Sequence, residues 1–165
     1  MSIRRATELT IRRVDAGGEL DIPTSEVLID GVPRGTLVSG AVLEAALAFG
    51  DRYLLFMTND IPFEETLSIH LLDWRLYLLD SAFLGAPYST GSFSNLDIAG
   101  PSTVRFRFIG DTTWSVEVLP RPVFRMPFVP EARGVRRRFG FARHFIVRGN
   151  PRRETSAATR EPAGR

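Results

Sequence analysis

The stretch STVRFRFIGDTTWSVEVLP, residues 102–120, decides the fold class. Val104, Phe106 and Phe108 alternate with Arg105 and Arg107. Beyond Gly110 and Asp111, Trp114, Val116 and Val118 alternate with Ser115 and Glu117. A period of two puts every second side chain on one face of a strand. The two apolar sets can then bury together, and the segment reads as an antiparallel hairpin. Its polar face is expected to bring Arg107 near Glu117, a cross-strand pair that stabilises by at most about 1 kcal/mol.

The same rhythm continues on both sides, broken by turn residues at intervals of roughly eight to twelve positions. ELTIRRV (8–14) alternates and ends at DAGG. In EVLIDGVPRG (26–35) the pair Asp30-Gly31 between apolar runs predicts a type I′ turn, and Pro33 makes the second arm an edge strand. Residues 42–60 read as a hairpin turning at Gly50-Asp51, with a short helix over 41–49 as the alternative. Residues 66–85 read as two strands turning near Asp73-Trp74-Arg75. Leu67, Ile69 and Leu71 share one face there, and Ser68 and His70 share the other. Prolines 120, 122, 127 and 130 mark a crossing segment that Phe124 and Phe128 are expected to anchor, and a final strand is expected over roughly 137–148.

These readings predict an all-β fold. Residues 1–148 form a single domain of roughly eight to ten antiparallel strands in meander and hairpin order, as a barrel or a sandwich. Residues 149–165 lack a large apolar side chain and read as a disordered, arginine-containing tail.

Composition removes several chemistries. All 21 cations are arginine, and there is no cysteine. Without lysine there is no Schiff-base nucleophile and no phosphate-loop lysine. Without cysteine there is no thiol nucleophile, disulfide or thiolate metal site. No cofactor is expected. The charged N-terminal stretch has no apolar run behind it, and no apolar run is long enough to cross a bilayer. The expectation is a soluble, cytoplasmic protein of bacterial style, with no membrane partner.

Charge is unevenly placed. Residues 121–165 carry 12 arginines and three acids, a formal +9, whereas residues 1–120 carry nine arginines and 16 acids, a formal −7. The densest run is RGVRRRFGFARHFIVRG (133–149). Two readings compete for it. Arginine forks beside phenylalanines can hold phosphate and stack on bases. Alternatively, the arginines neutralise acids within the same fold. Parity favours the second: Phe139, Phe141, Phe145 and Val147 share one face, as core residues would, away from most cations. Arg133, Arg136, Arg137 and Arg138 form a compact cationic group just before the strand. Arg143 falls on the apolar parity. It sits either at a bulge beside Gly140 or buried against a carboxylate, and the bulge is the cheaper arrangement.

Three further candidates stand out. Asp60, Glu64 and Glu65 cluster in TNDIPFEE (58–65). Paired acids can do proton transfer or bind calcium, although such a loop is more simply solvated. His70 and His144 are the only histidines; they lie far apart, each on the polar parity of its strand, a weak basis for a metal site, and read as solvated or edge-hydrogen-bonded imidazoles. Trp74, at a turn, either anchors an interface or closes one end of the fold. No nucleophile elbow or phosphate-loop motif is present, so no catalytic residue is singled out.

The expected function is therefore a non-enzymatic protein-interaction module with a protein partner or a second copy of itself. A small apolar ligand inside a barrel is the alternative. Weakly specific binding of an anion or nucleic acid through 133–148 is the third reading, with nucleic acid disfavoured by parity. Catalysis through His70 or the Asp60–Glu65 loop is the least supported.

Overall fold

The computed structural model describes residues 2–14, 22–61, 64–86 and 90–151. In chain order its strands are β1 (Ile3–Arg5), β2 (Leu9–Val14), β3 (Thr24–Ile29), β4 (Val32–Ser39), β5 (Val42–Phe49), β6 (Arg52–Thr58) and β7 (Leu67–Asp73). They continue with β8 (Leu78–Leu84), β9 (Ser94–Ile98), β10 (Thr103–Arg107), β11 (Trp114–Phe124), β12 (Val135–Arg137) and β13 (Ala142–Arg148). Every pairing is antiparallel, and the described residues contain no helix. The strands outnumber the eight to ten that alternation suggested. β1 and β12 have three residues each, too few to show a period, and β9 is almost wholly exposed.

There are three sheets, ordered β1-β5-β6-β7-β8-β12, β13-β11-β10-β9 and β2-β3-β4. Among the described residues none closes on itself, so the fold is layered in the manner of a sandwich. The six-stranded sheet is the middle layer. One face, with Leu47, Leu54, Phe56, Ile69 and Leu71, packs against Val104, Phe106, Trp114, Val116 and Phe145 of the four-stranded sheet. The opposite face, with Ala48, Leu55, Met57 and Leu72, packs against Leu9, Val27 and Val38 of the three-stranded sheet. A strand buried on both faces needs no polar parity. That is why Leu54, Leu55, Phe56 and Met57 form an unbroken apolar run.

Local chemistry sets the turns. Asp30 and Gly31 both take positive φ, 49° and 76°, as a type I′ turn requires. β4, with Pro33, lies at a sheet edge. Residues 42–49 are strand, not helix, and turn at Gly50 into β6. Gly40, at φ 128°, carries the chain from the three-stranded sheet into the middle one. The DAGG turn after Val14 lies outside the described residues, as do positions 152–165 of the tail.

Two strand expectations need correction. Arg107 pairs with Asp111 at 2.8 Å rather than with Glu117, which takes Arg148 at 2.6 Å. In the observed register Thr103 lies opposite Glu117, so Arg107 is too far along β10 to reach it. The expected final strand is also two strands in two sheets. β12 edges the middle sheet beside β8, and β13 edges the four-stranded sheet beside β11. Residues 138–141 cross between the layers. Parity counted through a crossing does not carry over, and the arginine run must be reassigned residue by residue.

Candidate functional site

The arginine run divides into buried and exposed members. Arg137 turns into the space between the middle and four-stranded sheets, where its side chain is 3% exposed. Its Nη1 donates to Asp80 Oδ1 at 3.1 Å, and its Nη2 donates to the Phe145 carbonyl at 2.8 Å. Glu131 Oε1 lies 3.1 Å from Arg137 Nε and 3.6 Å from Arg143 Nε. Asp80 also accepts from the backbone N–H groups of Ser81 and His144, each at 2.8 Å. Burial opposes the charge on Arg137, and the carboxylates of Asp80 and Glu131 oppose that loss. Two cations and two anions thus close the seam where β8 and β12 meet β13. Arg143 is buried and paired, because Glu131 comes within reach from the preceding loop, and it also stands at the register shift between β11 and β13.

The exposed members are Arg133, Arg136, Arg138 and Arg148, the last of which pairs with Glu117. β12 sets Arg136 opposite Phe83 and Arg137 opposite Ala82, so alternation sends Arg136 and Arg137 to opposite faces of the sheet. The compact cationic group expected from sequence is therefore split across a layer.

The phenylalanines split as well. Phe145 and Val147 are core residues, as parity predicted. Phe139 and Phe141 are not: they are 76% and 48% exposed, since they belong to the crossing and not to β13. Phe124 and Phe128, expected to anchor the crossing segment, are 70% and 83% exposed. The cause lies in β11. Val118 N–H donates to the Ser102 carbonyl at 2.8 Å, toward β10. The next residues of that parity are Pro120 and Pro122, which have no N–H to give. β10 pairing stops, and residues 123–124 of β11 pair with β13 alone, after a register shift. The result is a two-stranded ribbon whose end carries Phe124 stacked on Phe141, with centroids 5.8 Å apart and planes at 2°. Phe139 meets Phe141 edge-on at 5.5 Å. A groove of about 360 Å³, lined in part by Phe128, Val129 and Phe139, adjoins them. Met126 and Val123 are exposed nearby in sequence.

The other sequence candidates lie apart from this cluster. Trp74 is exposed at the β7–β8 turn, with the Arg75 guanidinium 4.7 Å from its ring centroid, and Tyr77 and Leu78 are exposed beside it. Trp74 therefore does not close the end of the fold. Glu65 Oε1 accepts from the N–H groups of Asn59 and Asp60, at 2.7 and 3.2 Å, and so shapes its loop. Asp60 and Glu64 face solvent, and Pro62 and Phe63 lie outside the described residues. Among the described residues no three of His, Cys, Asp and Glu converge in a way that could hold a metal ion.

His70 is not at an edge or in solvent. It is buried on the second face of the middle sheet, where sequence alternation had suggested polarity and hence exposure. Its Nε2 lies 2.9 Å from the Ser39 carbonyl, which can only accept, so Nε2 carries the proton. Nδ1 then accepts from the Ser81 hydroxyl at 2.8 Å. Burial pushes the imidazole down to about 4, against the raising effect of the Ser39 carbonyl and with a further lowering by Arg138. Both ring nitrogens are satisfied and the ring stays neutral near pH 7, which is the arrangement of a structural histidine.

Comparison with protein-family models, with curated proteins and with solved structures gave no match for this chain. Among the described residues no helix is long and apolar enough to cross a membrane.

Proposed function

We propose that the chain is a non-enzymatic protein-interaction module, and that it engages its partner through the aromatic end of the β11–β13 ribbon. The observation that supports this reading is the exposed, mutually packed trio Phe124, Phe139 and Phe141. Contiguous aromatic surface on a protein of this size marks a contact site, and large aromatic side chains supply most of the energy at such contacts. Exposed Arg121, Arg133 and Arg138, together with half-buried Arg125, lie close by in sequence. A complementary partner therefore presents an apolar pocket with an acidic rim, and charge steers the encounter. A cytoplasmic setting belongs to the same reading.

The test is a pull-down from a lysate of the source organism, with and without nuclease and at low and high salt. The expected result is a captured protein that survives nuclease, weakens with salt and is lost with the F124S/F141S variant. A catch that nuclease abolishes would make the ribbon a nucleic-acid platform and overturn the reading. So would a protein catch that the double variant retains.

A further inference from the structure

The three-stranded sheet is only half as wide as the middle sheet it covers. Its apolar contacts reach β5, β6 and the end of β7, where Ala48, Leu55, Met57 and Leu72 lie beneath it. Over the rest of that face the residues change character. Ser68 of β7 and Phe83 of β8 line a groove of about 460 Å³. Arg136 and Arg138 form its outer wall, and Ser39 at the end of β4 lies on its inner side.

Neither Arg136 nor Arg138 makes an ion pair among the described residues. Glu64 and Glu65 share a neighbouring cavity with Arg136, but neither comes within ion-pair distance of it. This contrasts with Arg137 on the opposite face, which has two carboxylates. Asn59 also lines the groove, and its amide oxygen is buried without a donor among the described residues. A buried acceptor without a donor carries a free-energy cost that a ligand hydroxyl or N–H can remove.

We propose that this groove binds a small organic anion. A carboxylate or phosphate head lies between the Arg136 and Arg138 guanidinium groups, and an apolar body rests on Phe83 and Ile22. Guanidinium forks match both head groups, with two parallel N–H donors each. The groove volume suits a ligand of metabolite size. Ser68 can donate its hydroxyl to the head group, and Asn59 Oδ1 can accept from a hydroxyl or N–H on the ligand body, so the two fix its orientation. The site lies on the opposite face of β12 from the Asp80–Arg137 cluster, and it does not depend on the ribbon trio.

The test uses the full chain, with benzoate and inorganic phosphate as probes and sodium chloride at matched ionic strength as reference. Thermal midpoint and titration calorimetry are read together. The expected result is a saturable rise in midpoint with at least one probe. Arg136→Ala and Arg138→Ala should each weaken that probe about tenfold, and Arg133→Ala should leave it unchanged. Binding of phosphate would place the recognition in the head group, and binding of benzoate alone would require the apolar body as well; either supports the site. Because both arginines are exposed, the variants keep the unliganded midpoint, which far-UV circular dichroism can verify. No saturable rise with either probe would overturn the proposal, as would a rise that persists in both arginine variants.

Discussion

The guanidinium of Arg137 lies 4.4 Å from the centre of the Phe145 ring while it donates to the Phe145 carbonyl at 2.8 Å. One residue of the middle sheet thus grips both the side chain and the backbone of one residue of the four-stranded sheet. Substituting Arg137 by methionine keeps the length and removes the charge. Asp80 and Glu131 would then be left as buried anions without that partner, and stability should fall by about 3–5 kcal/mol. Arg133→Ala, at an exposed position, should change it by no more than about 0.5 kcal/mol. Urea unfolding midpoints check both, and near-equal values would deny the buried network its role.

His70 makes the fold sensitive to acid. Its folded pKa of about 4 lies below the ordinary 6.5. Between those values the unfolded chain binds the proton and the folded chain does not, so stability falls as pH drops through that window. Above the window the contribution is fully present. The shift corresponds to about 3 kcal/mol. His144, also lowered by burial, acts in the same direction. Unfolding free energies measured between about pH 7.5 and about pH 4.5 should show the decline, and His70→Gln should flatten most of it. A flat wild-type profile would contradict a buried neutral His70.

Gly40 is where the chain passes between sheets, at φ 128°, and a Cβ there would overlap the Met57 Cβ. Met57 is fully buried and cannot withdraw its Cβ. Gly40→Ala should therefore lose about 2–4 kcal/mol from strain and overpacking. Gly100→Ala meets nothing within 4 Å and should be close to neutral. Thermal midpoints of the two variants give the comparison.

The exposed ribbon phenylalanines make a different kind of prediction. The F124S/F141S variant should keep its unfolding free energy within about 0.5 kcal/mol of the parent, because neither ring belongs to the core. It should bind less of a hydrophobic dye. A large loss of stability would mean that the ribbon is an internal strut, not a contact surface.

Alternation made most of the layered core legible. Val104, Phe106, Trp114, Val116 and Val118 were readable as one buried set because each strand there keeps a solvated face. The third layer was not legible. Nothing in the run Leu54–Met57 says which neighbour covers which side. His70 was misjudged for the same reason: polar parity means exposure only when one face of the sheet is open, and here the small sheet and β8 shut it in. The ribbon was missed because Phe139 and Phe141 match the parity of Phe145 only if 138–141 continue the strand. The Pro120 and Pro122 spacing was the available signal, since it removes donors on one side of β11.

A single stretch, residues 135–148, supplies the outermost strand of two different sheets. β12 completes one layer, and after four residues β13 completes another. The two sheets are therefore latched by one peptide segment as well as by the charges beneath it. Neither edge can peel away without pulling on the other, so the layers should melt as a unit. A protease nick between Arg138 and Phe141 would leave every strand in place while freeing each edge to fray independently. In that sense the crossing is the hinge pin of the molecule's cooperativity.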